Sequence, residues 1–160
     1  MLSPRTLIFN AAWNGEYFKV FELMVVHDID PNIKAHTSPR TMLDFACQHG
    51  HVELVRTLLA HPKINVNVRD GMQWTPFATA IAQGSTECAK LLIDDSRTDL
   101  IKSTGSNHKT PLYRISEGGY VEILEYWIAS GKSFSHNTSE YWAAYNADKK
   151  GEIQKNHGRI

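Results

Sequence analysis

The sequence predicts an all-α solenoid of helix-turn-helix units joined by short β-hairpin loops, about four repeats followed by a partial C-terminal capping repeat. Three observations predict it. Thr6-Leu7-Ile8, Thr41-Met42-Leu43, Thr75-Pro76-Phe77 and Thr110-Pro111-Leu112 open similar blocks, their threonines 35, 34 and 35 residues apart. A glycine stands nine positions after each threonine, at Gly15, Gly50, Gly84 and Gly119. Apolar residues then recur at helical spacing, most clearly in Val52-Glu53-Leu54-Val55-Arg56-Thr57-Leu58-Leu59 and Val121-Glu122-Ile123-Leu124-Glu125-Tyr126-Trp127-Ile128.

Within a unit, a small residue five positions after the threonine (Ala11, Ala46, Ala80, with Ile115 in the fourth) and the glycine at nine describe a short first helix stopped by glycine. The amphipathic run after the glycine is the second helix. The remainder, such as Ile64-Asn65-Val66-Asn67-Val68-Arg69-Asp70-Gly71, is extended and punctuated by Asn, Asp and Gly, as a β-turn or hairpin requires. The repeats fall at about 3–35, 36–69, 70–104 and 105–137 of a single domain spanning 1–160. A partial copy over 138–160 begins like a first helix, Tyr141-Trp142-Ala143-Ala144-Tyr145-Asn146-Ala147, with Gly151 in the turn slot. The mostly polar residues 152–160 are either a capping helix, which a solenoid needs at its ends, or part of a longer chain.

These units resemble the ankyrin repeat, whose pattern runs Thr-Pro-Leu-His-x-Ala, Gly-His, Val-Leu-Leu and Asp-Val-Asn. Repeat two carries Gly50-His51-Val52-Glu53-Leu54-Val55 and Val66-Asn67, and repeat three carries Thr75-Pro76-Phe77; the resemblance spans roughly residues 5–135. The tetratricopeptide repeat shares the period but lacks the Thr-Pro-Leu opening and the Asn-containing loop. Two departures stand out. The family's histidine is replaced by Phe9, Asp44, Ala78 and Tyr113, which removes its usual bond to the threonine and lowers the expected local stability. The asparagine that ends a repeat is kept at Asn32 and Asn67 but becomes Ile101 and Ser135, so the later hairpins are expected to be looser.

In the first repeat the register of the second helix is ambiguous. Rigid alignment on Gly15 puts Phe18 and Phe21 in slots that hold Glu53 and Arg56 elsewhere. One extra residue in the Gly15-Glu16-Tyr17 turn puts Phe18, Val20, Phe21, Met24 and Val25 opposite Val52, Leu54, Val55, Leu58 and Leu59 instead. Binary patterning favours the second register, which makes Phe18 and Phe21 core.

Of 160 residues, 42% are apolar and 21% charged, the composition of a chain that folds around a core. Lys plus Arg and Asp plus Glu number 17 each, seven to seven over residues 1–80 and therefore ten to ten over 81–160. Such balance argues against nucleic acid or an anionic membrane as the main partner. Cys47 and Cys88 are too few for a disulfide framework, which points to a reducing, cytoplasmic setting. The chain shows neither a signal-peptide pattern at its N-terminus nor an apolar run near ~20 residues.

Chemistry is hard to place. Cys47-Gln48-His49-Gly50-His51 is the densest group of ligand types, but Cys47 and His49 point in different directions on a helix and no second ligand pair has a zinc-like spacing. A thiol packed in a helix is not an activated nucleophile. Phosphate-binding and nucleophile-elbow motifs are absent, and Asp94-Asp95 reads as a solvated rim. No catalytic, metal-binding or cofactor-binding residue is assigned, and an enzyme is not expected.

What the resemblance implies is a protein partner held in a concave groove made by hairpin tips and first helices. Carried onto this chain, it designates the residues before each threonine, Arg5, Arg40, Trp74 and Lys109, with Met72, Gln73 and Asn107 on the hairpins. On the first helices it designates Trp13, Gln48, His49, Gln83 and Glu117. Trp and Arg commonly anchor interfaces, since they combine contact area with a polar handle. The expected module is monomeric, with a regulatory or targeting segment of a larger enzyme or effector as the alternative.

Overall fold

The structure, a computed structural model, describes residues 2–102, 105 and 108–132. Among them lie eight helices: α1 (Pro4–Asn14), α2 (Tyr17–Val26), α3 (Met42–His49), α4 (Val52–Leu59), α5 (Pro76–Ala82), α6 (Thr86–Asp94), α7 (Pro111–Gly118) and α8 (Val121–Ala129). They pair into four units. The first helices α1, α3, α5 and α7 stack as one layer, and α2, α4, α6 and α8 as a second. Each unit thus covers its apolar stripes against its neighbours, as a repeating chain must. The capping copy expected at 138–160, including Tyr141 and Gly151, lies outside the described residues.

Each first helix opens on a hydroxyl cap. Thr41, Thr75 and Thr110 accept the backbone N–H of Asp44, Ala78 and Tyr113 at 3.3, 3.3 and 3.2 Å, satisfying one donor of the open first turn. In the first unit the cap is Ser3, not Thr6: Ser3 Oγ accepts from the Thr6 N–H at 3.2 Å, and Pro4 takes the first helical position. The helix therefore begins three residues earlier than the period suggests. The positions five after each threonine, Ala11, Ala46, Ala80 and Ile115, are all buried in the core.

Between the helices of a unit the chain turns through the left-handed region, at φ 74° for Gly15 and 71° for Gly50. At Gly15 space is decisive as well as conformation: a Cβ there would meet the His51 ring at 2.6 Å.

The register expected for α2 is corrected. Glu16 donates to the Ala11 carbonyl at 2.9 Å as His51 does to Ala46, and Tyr17 donates to Gly15 as Val52 does to Gly50. The turn holds no extra residue, so α2 aligns rigidly with α4. Val20, Leu23 and Met24 are buried, whereas Phe18 is 73% and Phe21 57% exposed.

The connecting loops are tight turns. An antiparallel bridge joins Lys34 and Thr41, beside a 2.9 Å bond from Ala35 N–H to the Arg40 carbonyl. The retained asparagines explain how the loops stack. Asn32 donates to the Lys63 carbonyl at 2.8 Å and accepts from Asn65 N–H at 2.7 Å. Asn67 repeats this with the Arg97 carbonyl and the Asp99 N–H, at 2.7 and 2.8 Å. Each amide thus ties its repeat to the next, which the Ile101 side chain has no polar group to do.

Candidate functional site

The exposed face of the first-helix layer, with the turn tips beside it, gathers most of the residues designated from the sequence. On α1 and α3 it is aromatic. The Trp13 ring lies 5.7 Å from Phe45 and 4.3 Å from His49, and Phe9 meets Phe45 edge-on at 5.9 Å. Trp13 remains 52% exposed. Partial burial, together with His51 and Arg40 nearby, holds the His49 imidazole below its ordinary value, so it is neutral near pH 7.

The turn residues are more constrained than the aromatics. Asp70, 4% exposed, accepts the Met72 and Trp74 N–H groups at 2.8 and 2.9 Å and the Arg40 Nε at 3.3 Å. One buried carboxylate therefore shapes the third turn and anchors Arg40, whose guanidinium also donates to the Gln48 side chain. Lys109 pairs with Glu117 at 2.5 Å and lies 4.6 Å over the Tyr113 ring. The Arg5 guanidinium donates to the Lys34 carbonyl. The cations at Arg5, Arg40 and Lys109 are thus met from within the chain.

Trp74 is half-buried, with the Arg114 guanidinium stacked 3.9 Å from its ring centre. Burial pulls Arg114 below its ordinary value. Met72 stands 56% exposed at the turn tip, and Gln73, Gln83 and Glu117 are exposed. Asn107 lies outside the described residues.

Sequence reasoning passed over Phe45 and Tyr113 as contact residues, and Asp70 and Arg114 as supports of Arg40 and Trp74. Tyr113, 48% exposed, occupies the slot of the family's histidine, where Phe9 stands in the first repeat. Two aromatics in a slot where the family carries a histidine were the available signal.

The chemistry-bearing side chains are distributed differently. Cys47 is fully buried and its thiol is pushed well up by burial; Cys88 is pushed up to about 11 for the same reason. His49 lies on the exposed face of the same helix, so it does not serve Cys47 as a base. His51 Nε2 sits 2.8 Å from the Trp13 carbonyl, a packing role. The Asp94-Asp95 pair is more engaged than a solvated rim. Asp94 accepts the Tyr126 hydroxyl at 2.8 Å, and Asp95 pairs with Arg97 at 2.6 Å, which holds its carboxyl below the usual range.

In repeat two the lost histidine is replaced by a working substitute. Asp44 Oδ2 accepts both the Thr41 N–H at 2.8 Å and the Thr41 hydroxyl at 2.9 Å. Burial raises its carboxyl to about 6 in spite of those bonds and of Arg40, with Asp70 adding to the rise.

A family model described as ankyrin repeats (three copies) matches residues 8–103. Among curated proteins, the ankyrin repeat protein YahD of Escherichia coli (strain K12) is 35% identical over 91 residues, 54% of this chain and 44% of that protein. The human SMC5-SMC6 complex localization factor protein 1 is 34% identical over 99 residues, 61% of this chain and 9% of that protein. The chain therefore spans less than half the length of these relatives. Among solved structures, one chain of a predatory endopeptidase in complex with an immunity protein, from Bdellovibrio bacteriovorus, superposes with a TM-score of 0.65 at 25% identity. That match covers 78% of this chain and 63% of the other.

Proposed function

The chain belongs to the ankyrin-repeat family, and from that premise we propose that it is a protein-binding module whose contact surface is the exposed face of its first helices with the adjoining turn tips. The observation that carries this reading is the set of large side chains left open there. Trp13, Met72 and Tyr113 are each about half exposed, on a framework held by caps, turns and inter-repeat amides. Aromatic groups on rigid elements lose little freedom on binding, so their burial translates into affinity. The solved structure that resembles this chain is itself a complex of two proteins, which is consistent with such use.

Within the designated row, the residues divide by what else they do. Arg40 and Trp74 hold Asp70 and Arg114 respectively, so their removal perturbs the scaffold as well as any contact. Trp13 and Met72 are the cleaner probes. A partner recovered with the wild-type chain is expected to bind Trp13→Ala/Met72→Ala at least tenfold more weakly, with unchanged circular dichroism. Undiminished affinity would remove this surface from consideration.

A second reading, the ankyrin segment of a larger enzyme or effector whose chemistry lies elsewhere, is favoured by the length of the relatives. The match covers only 9% of the human localization factor. The mass of the native protein on an immunoblot decides it: 18.1 kDa removes the reading, and a larger mass supports it.

A further inference from the structure

The corrected register of α2 leaves a surface on the helix layer opposite the candidate groove. Phe18, Phe21, Val25 and Val26 are 73, 57, 66 and 67% exposed. In the other repeats the slots of Phe18 and Phe21 carry Glu53 and Arg56, Glu87 and Lys90, Glu122 and Glu125, where charges pair: Glu53 with Arg56 at 3.6 Å, and Lys90 with both Glu87 at 2.8 Å and Glu122 at 2.6 Å. Only the first repeat presents carbon where its neighbours present charge. A cleft of about 660 Å³, lined in part by Phe21, Met24 and Val25 and in equal part by polar residues such as Asp28, Asp30 and Lys63, opens at the end of the helix.

We propose that this face is a homodimer interface, in which α2 packs antiparallel against α2 of a second copy about a twofold axis. Two arguments select a second copy over an unrelated partner. The first is charge: Lys19 and Glu22, 2.9 Å apart, flank one edge of the stripe. An antiparallel twofold brings like edges together, so that Lys19 faces Glu22 of the other copy and Glu22 faces its Lys19. The surface is complementary to itself, as an isologous contact requires. The second is area. Two largely exposed phenylalanines, each worth roughly 150–250 Å² when buried, and two valines make a patch of about 400–500 Å², the size that marks an interaction site on a monomer. Doubled across the axis it reaches about 1,000 Å², where specific association begins. The dimer leaves the first-helix layer open, so this inference stands or falls apart from the groove.

Sedimentation of the wild-type chain and of two charge variants tests it. Lys19→Glu makes the flank wholly acidic and Glu22→Lys makes it wholly basic. The wild type is expected to show a concentration-dependent dimer, each variant alone to dimerise at least tenfold more weakly, and their equimolar mixture to recover a dimer. An intramolecular role for the Lys19–Glu22 pair does not produce that recovery. Phe18→Glu is expected to abolish the dimer with circular dichroism unchanged, since the ring lies outside the core. The proposal is overturned by a wild-type monomer mass up to about 1 mM, by a dimer that survives Phe18→Glu, or by a mixture that associates no better than its components.

Discussion

Asp44 shows at the scale of one residue how the chain compensates for a lost family feature, and at what cost. Its carboxylate caps Thr41 twice, but burial holds its protonated form to about pH 6. Because that value lies above the unfolded one, the native state binds the proton more tightly. Stability is then lost as pH rises from about 4 to about 6, and the loss is complete above. A shift of this size corresponds to about 3 kcal/mol. Asp44→Asn removes the charge and keeps an acceptor for Thr41. Its urea-denaturation free energy is expected to match the wild type near pH 4 and to exceed it by about 3 kcal/mol above pH 6. Equal pH dependence in the two proteins would refute this. The sequence pointed to the missing histidine but not to its replacement, because the Thr41–Asp44 bond depends on a capping geometry that residue identity leaves open.

At the scale of the element, α2 is where pattern and hydrogen bonding disagree. The run Tyr17-Phe18-Lys19-Val20-Phe21-Glu22-Leu23-Met24-Val25-Val26 is apolar around most of its circumference, so periodicity alone fits more than one register. The turn bonds of Glu16 and Tyr17 decide between them. Binary patterning misled because it assumes that every apolar residue faces this chain's own core. Phe18→Lys is accordingly expected to shift stability by no more than about 0.5 kcal/mol, as exposed substitutions do, and Val20→Lys by more than about 3 kcal/mol, as a charge in the core does. Thermal melts of the two variants check this; similar losses in both would restore the rejected register.

At the scale of the whole molecule, the fold was legible because one period of 34–35 residues repeats the same instruction four times, in the threonine, the small residue, the glycine and the amphipathic run. The proposed contact face was legible only in outline. Its side chains need not pack, so position could mark Arg40, Trp74, Lys109 and Glu117, while the supports Asp70 and Arg114 and the pairing of Lys109 with Glu117 emerged only in three dimensions. Coupling between repeats has a similar status: Asn67 was visible as a motif, its bridge to Arg97 and Asp99 was not. Asn67→Ala strips both bonds and is expected to cost about 1–3 kcal/mol and to broaden the unfolding transition, because repeats two and three then open more independently. An unbroadened transition of equal midpoint would show the bridge to be dispensable.

The central claim is that this chain works by holding a protein on its first-helix face. Its most direct test is the affinity, by titration calorimetry, of a partner recovered from the native cell for the wild type and for Trp13→Ala/Met72→Ala. At least a tenfold loss is expected with the fold intact, about 1.4 kcal/mol or more. Equal affinities would contradict it.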